Sequence, residues 1–158
     1  NRRVVFDALD EAMENANESQ DRQFTTIMFD IDFFKQVNDT YGHAGGDAVL
    51  ISFAKLLESE ITSPNIVGRI GGEEFLAILY LNQDQAAEFC KKLIIKINDN
   101  TVNFEGIDIK ISSSGGVAFS SETNTSADLT NKADERLYEA KKSGRNRFKL
   151  IDSELVGD

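Results

Sequence analysis

The apolar positions of this chain switch between two spacings, three-to-four residues and two, often enough to mark out successive helices and strands. Val5, Leu9, Ala12, Met13 and Ala16 recur at helical spacing until a polar run at residues 17–22, which predicts an opening amphipathic helix. Residues 24–31 (FTTIMFDI) are β-branched and aromatic, so a strand is expected there, running into Asp30 and Asp32. A short helix over 33–41, a Gly-containing break and a long helix over 48–61 follow, the last with Val49, Leu50, Phe53, Leu56, Leu57 and Ile61 in one stripe. The segments 66–70 and 75–81 flank Gly71-Gly72-Glu73-Glu74, and a Gly pair between strand-like runs predicts a tight antiparallel hairpin. Helical spacing returns over 83–98, after which 101–104 and 107–119 read as a strand pair around Gly106. Residues 126–142 predict a last helix with Gly144 in the usual stop position, 147–151 a last strand, and 152–158 a frayed tail. This order contains a βαββαβ-like kernel and predicts the α/β (α+β) class: a central mixed, mostly antiparallel five-stranded sheet with flanking helices. One proline and no repeat or low-complexity tract leave nowhere to cut the chain, so a single domain over 1–158 is expected.

Charge and cysteine content narrow the function classes. Lys and Arg number 17 against 27 Asp and Glu, a net charge of −10, and a body that acidic repels a phosphate backbone. Nucleic-acid binding is not expected. The single Cys90 can form neither an internal disulfide nor a Cys-based zinc site, which fits a reducing, cytoplasmic setting. No apolar run approaches the ~20 residues of a membrane span, so direct membrane contact by this domain is not expected either, whatever anchors a longer parent.

Four clusters could carry chemistry. Asp30 and Asp32, at i and i+2 on a strand, share a face, and two like charges held together suit a hard cation such as Mg²⁺; the plain alternative is that they cap the next helix. Gly71 and Gly72 would let a ligand approach the backbone at a hairpin tip that presents Glu73 and Glu74; the plain alternative is an ordinary type I′ turn with solvated acids. In this topology the tip and the strand end can be neighbours, so Asp30, Glu73 and either Asp32 or Glu74 could converge on a cation as a phosphoryl-transfer site. Among Lys35, Asn38, Asp39, Gly42, His43 and Asp47, an Asn and an Asp suit guanine, whose N1–H and exocyclic amine donate to a carboxylate; each is also a natural cap or turn residue. His43, the only histidine, reads as an orienting or packing residue. The basic run 141–147 either complements a helix dipole or delivers Lys141 and Arg145, one helical turn apart, to a polyphosphate.

Taken in order, Asp30-Ile31-Asp32-Phe33-Phe34-Lys35, Asn38-Asp39, Tyr41-Gly42-His43, Gly46-Asp47, Arg69-Ile70-Gly71-Gly72-Glu73-Glu74-Phe75, Ser114, Gly116, Asp134, Lys141 and Gly144-Arg145-Asn146 resemble the GGDEF family of diguanylate cyclases, here in a GGEEF variant. The resemblance implies a palm-like sheet akin to that of nucleotidyl cyclases. It also implies a reaction joining two GTP into cyclic di-GMP and pyrophosphate. Carried over, it makes Asp30, the Ile31 carbonyl and Glu73 ligands of Mg²⁺, with Mn²⁺ an acceptable substitute. Glu73 or a metal-bound hydroxide would help deprotonate the attacking 3′-hydroxyl, with Glu74 beside the metals. Asn38 and Asp47 match the guanine-binding pair, Lys35 with the backbone of Phe33 and Phe34 faces phosphates, and Lys141 and Arg145 grip the triphosphate. His43, Gly71 and Gly72 complete the implied substrate surface. Each domain is expected to hold one GTP, so a homodimer is the implied working unit, under an upstream sensory domain. The family's Arg-x-x-Asp product-inhibition site falls at Thr62-Ser63-Pro64-Asn65, so that site is expected to be missing. The alternative in another class is a catalytically inactive GTP-binding regulatory module.

Overall fold

The structure, a computed structural model, describes residues 1–151 and 155–157. Its helices are α1 (Arg2–Glu18), α2 (Phe34–Glu60), α3 (Gln83–Asp99) and α4 (Ser126–Lys142). Its strands are β1 (Thr25–Ile31), β2 (Ile66–Gly71), β3 (Glu74–Leu79), β4 (Thr101–Phe104), β5 (Ile107–Lys110), β6 (Ser113–Phe119), β7 (Arg147–Lys149) and β8 (Leu155–Gly157). Among the described residues no helix is long and apolar enough to cross a membrane.

β1 and β6 are buried along their whole length, which is why β1 reads as a continuous apolar run rather than an alternating one. β1 pairs antiparallel with β3 on one side and β6 on the other. Six strands result, in the order β2-β3-β1-β6-β7-β8, with β7 parallel to β6 and the other pairs antiparallel; β4 and β5 form a separate hairpin. The period-2 alternation of β1 divides two apolar cores. Ile27, Phe29 and Ile31 face α2 and α3, with Phe29 in edge contact with Phe53 and Phe148. Met28 shares the opposite face with Phe24 and packs among residues of α1 and α4. α4 lies hard against the sheet: a Cβ added at Gly116 would stand 1.9 Å from the Ala133 carbonyl oxygen, so only glycine permits this approach.

Two expectations change and one is met. The sheet has six strands, not five, because Leu155–Gly157 pairs with β7 instead of fraying; residues 152–154 and 158 lie outside the described residues. The predicted strand 107–119 is two strands in different sheets, since the chain leaves the β4–β5 hairpin at Ile111 and Ser112 before entering β6. The Gly-containing break expected between the two helices of 33–61 is there, narrowed to a kink at Gly42 within α2, whose φ of 76° and ψ of 175° are not helical.

Candidate active site

β1 ends between two partners. Opposite its last residues, β6 sets Ser114 against Asp30 and Ser113 against Ile31, while on the other side β3 sets Glu74 against Asp30. The hairpin tip is tied in directly, the Ile31 N–H donating to the Glu73 carbonyl at 3.3 Å. The turn between Gly71 and Glu74 holds two residues, Gly72 and Glu73, with positive φ (38°) at Gly72 and not at Glu73. That is the sense of a type II′ turn, correcting the I′ alternative. Arg69 fastens the tip by donating to the Gly72 carbonyl at 2.7 Å.

Parity on β1 puts the Asp30 side chain on the α1/α4 face, where the last turn of α4 delivers Lys141. Its Nζ lies 2.6 Å from Asp30 Oδ2. Asp30 is only 6% exposed, and burial pushes its carboxyl above the usual range; Lys141 pulls the other way, while the Glu73 and Asp32 charges add to the rise. Glu74 shares the parity of Leu76 and Ile78 and so the same face. Burial raises its carboxyl too, with the charges of Asp30 and Asp134 adding to the effect. A cleft of about 520 Å³ opens at this end of the sheet, its lining including Asp30, Phe33, Lys35, Glu73, Lys141 and Arg145.

Asp32 and Lys35 also line this cleft, each with partners of its own. Asp32 is 5% exposed and fully engaged: its Oδ1 accepts from Ser114 Oγ at 2.7 Å, and its Oδ2 from Ser112 Oγ at 2.6 Å and the Asn146 N–H at 2.9 Å. Among the described residues no group of three acids or other metal-ligating side chains stands close enough to enclose an ion, so the expected convergence of Asp30 and Glu73 with Asp32 or Glu74 is not formed. Lys141 and Arg145 are not one helical turn apart on a helix. α4 ends at Lys142, and Arg145 follows in a left-handed turn whose N–H returns to the Ala140 carbonyl at 3.0 Å. Both nevertheless line the same cleft, Arg145 with its guanidinium 4.6 Å over the Phe33 ring. Lys35 is exposed and paired with Asp39 at 3.3 Å. Asn38 lies against the second limb of α2: a Cβ at Gly46 would fall 1.8 Å from Asn38 Oδ1 and 3.3 Å from the Phe34 ring, and Phe34 lines the acidic cleft. Asp47, next in the chain, is exposed, as is His43, and neither lines that cleft. A Cβ at Gly71 or Gly72 would meet nothing within 4 Å, so the tip stands open. Reasoning from the sequence gave Ser112 no role and Ser114, Asp134 and Asn146 none beyond the resemblance. A run of three serines, Ser112 to Ser114, entering a buried strand was the available signal, since buried hydroxyls need partners.

Residues 1–147 match the family described as diguanylate cyclase, GGDEF domain. The chain belongs to the GGDEF family. A curated relative, diguanylate cyclase A of Treponema denticola, is 36% identical over 154 residues, covering 95% of this chain and 42% of that protein. The crystal structure of the GGDEF domain of YfiN from Pseudomonas aeruginosa superposes with a TM-score of 0.90 at 30% identity, covering 96% of both chains. The active GGEEF domain of a diguanylate cyclase from Vibrio cholerae does so with a TM-score of 0.87 at 31% identity, covering 98% of both. The GGDEF chain spans about half the length or less of the curated relatives it matches first. Its sheet with flanking helices is therefore the cyclase palm fold.

Proposed function

We propose that this GGDEF domain condenses two GTP into cyclic di-GMP, releasing two pyrophosphates, in a divalent-metal-dependent reaction between two copies of the chain. The observation that carries this reading is the meeting, around one cleft, of buried Asp30, the Glu73-bearing hairpin tip and the cations Lys141 and Arg145. Acids for a metal and cations for a polyphosphate in one cavity are what phosphoryl transfer requires.

The donor set fits Mg²⁺. Asp30 and Glu73 with the Ile31 carbonyl supply hard oxygens, and such an ion is commonly held by one or two carboxylates plus substrate phosphates and waters, so three enclosing acids are not needed. When bound, Mg²⁺ would neutralise charge on the transferring phosphate and the departing pyrophosphate. Until then the Lys141 ammonium balances Asp30; in the loaded site Glu73, at the hairpin tip, takes the proton of a 3′-hydroxyl. α2 begins without a side-chain cap, so N–H groups of its first turn, at Phe34 and Lys35, are available to phosphate oxygens, as Lys141 and Arg145 are from the other wall. Asn38, held against Gly46 beside Phe34, and Asp47 take the guanine edge; adenine would put an acceptor where Asp47 needs a donor. The 3′-oxygen of one GTP attacks the α-phosphorus of the other, the bond to pyrophosphate breaks, and the step repeats in the opposite sense. One cleft per chain holds one GTP, so the working unit is a homodimer of half-sites. In the parent protein an upstream sensory domain would govern that pairing. Lacking Arg and Asp at residues 62 and 65, the domain escapes product inhibition through the Arg-x-x-Asp site.

Turnover of GTP and ATP side by side, in the unaltered chain and in Asp47→Ala, tests the base assignment. GTP alone should be used, and Asp47→Ala should cost about 1–3 kcal/mol of preference for it. Equal use of both nucleotides by the unaltered chain would remove Asp47 from the site.

A further inference from the structure

We propose that Asp32 is a positioning residue for Arg145: its carboxylate pins the turn after α4 to the end of β1 and so holds the guanidinium over the Phe33 ring, facing the cleft. This rests on the reading of that cleft as a triphosphate site.

Arg145 sits in an unusual stretch of backbone. Gly144, Arg145 and Asn146 all have positive φ, at 132°, 62° and 51°, and two of the three are not glycine. L-residues enter that region at a cost, so such a turn persists only where its surroundings over-determine it. Three contacts do so: the Arg145 N–H on the Ala140 carbonyl at 3.0 Å, the Arg147 Nε on the Arg145 carbonyl at 2.9 Å, and the Asn146 N–H on Asp32 Oδ2 at 2.9 Å. Of these, the bond to Asp32 alone ties the turn to the sheet end where the cleft lies. The carboxylate is itself fixed, buried and held by Ser112 and Ser114 at 2.6 and 2.7 Å, so it has no freedom to follow a moving turn. The other half of the arrangement is next to Asp32 in the chain. Phe33 has a φ of 55° and is half exposed, yet its ring is the platform 4.6 Å beneath Arg145. One side chain therefore sets both the platform, through the chain, and the guanidinium, through Asn146. Arginine is long and rotamer-rich, and fixing its fork before phosphate arrives lowers the entropy lost on binding.

The test uses the full chain as unaltered protein, Asp32→Asn, Arg145→Ala and the double variant, each with its thermal midpoint measured. Inorganic tripolyphosphate in excess Mg²⁺ is titrated calorimetrically, and Mn²⁺ alone is titrated by electron paramagnetic resonance. Asp32→Asn and Arg145→Ala should each weaken tripolyphosphate about tenfold, the double variant should be no weaker than Arg145→Ala, and Asp32→Asn should leave Mn²⁺ affinity unchanged. Unchanged tripolyphosphate affinity in Asp32→Asn, a further loss in the double variant, or loss of Mn²⁺ binding would each overturn the proposal while leaving the cleft assignment intact. No binding of tripolyphosphate by the unaltered chain would instead overturn the cleft assignment and this proposal with it. Should Asp32→Asn fail to fold, Ser112→Ala removes one donor to the same carboxylate and should give a smaller loss that again disappears in the Arg145→Ala background; a loss that persists there overturns the proposal.

Discussion

A carboxylate buried beside other acids is costly to keep ionised, and Asp30 carries that cost in the free protein. Its carboxyl is raised by burial and by Glu73 and Asp32, and only Lys141 opposes the shift. A group whose folded value lies above its unfolded one binds protons more tightly when folded, so it lowers stability at neutral pH and lowers it less as pH falls toward the ordinary carboxylate range. Asp30→Asn should therefore keep or raise the thermal midpoint at pH 7 while removing all metal-dependent turnover. Loss of fold together with activity would mean that Asp30 is a structural residue. Glu73→Gln differs in mechanism, since Glu73 stands at the hairpin tip, partly exposed and outside the cores. Turnover should fall by at least about a hundredfold, the usual scale for losing a general base, with the midpoint unchanged within about 0.5 kcal/mol.

At the scale of elements, the site depends on α4 reaching Asp30, and two contacts hold that helix down. Gly116 lets it approach β6, so Gly116→Ala drives a methyl into the Ala133 backbone and should cost about 1–3 kcal/mol. Arg136 clamps Glu122 with two bonds of 2.8 and 2.7 Å and also donates to the Val117 carbonyl at 2.8 Å. Burial alone would raise Glu122, but the Arg136 bonds, the Phe119 N–H and the nearby cations outweigh it and hold its carboxyl below the usual range. A depressed folded value contributes stability that is present above the unfolded value and lost as pH falls through the folded one. The midpoint difference between the unaltered chain and Glu122→Gln should accordingly be full at pH 7 and vanish on acidification below the ordinary glutamate range. A difference independent of pH would assign Glu122 to packing alone. Helices and strands with one apolar face were legible in the sequence because spacing is local: α1, α3 and α4 fall where the stripes are, and the hairpin where the Gly pair is. What spacing could not show is where distant segments meet. Residues 107–111 alternate, but the run Ser112-Ser113-Ser114-Gly115-Gly116 that follows has no apolar period, so spacing alone does not show that the chain changes sheet at Ile111 and Ser112. Asp32 looks like the twin of Asp30 until Ser112, Ser114 and Asn146 arrive from more than 75 residues away.

For the whole molecule, each chain brings Asp30, Glu73, Lys141 and Arg145 to a single cleft, whereas a cyclic product with two phosphodiester links needs two nucleotides meeting head to tail. The recognisable order of spaced motifs made the family legible, and the metal and substrate roles proposed for single residues rest on that order. Partner geometry did not, because it resides in how two surfaces meet and not in either chain's spacing. The most direct measurement is chromatographic detection of cyclic di-GMP formed from GTP and Mg²⁺ across a series of protein concentrations, with Asp30→Asn as the control. The expected result is product whose rate per chain rises with protein concentration toward a plateau, and none from Asp30→Asn. GTP bound but never condensed, at any concentration and even with chains paired by a fused coiled coil, would contradict the cyclase assignment and leave a nucleotide-binding module.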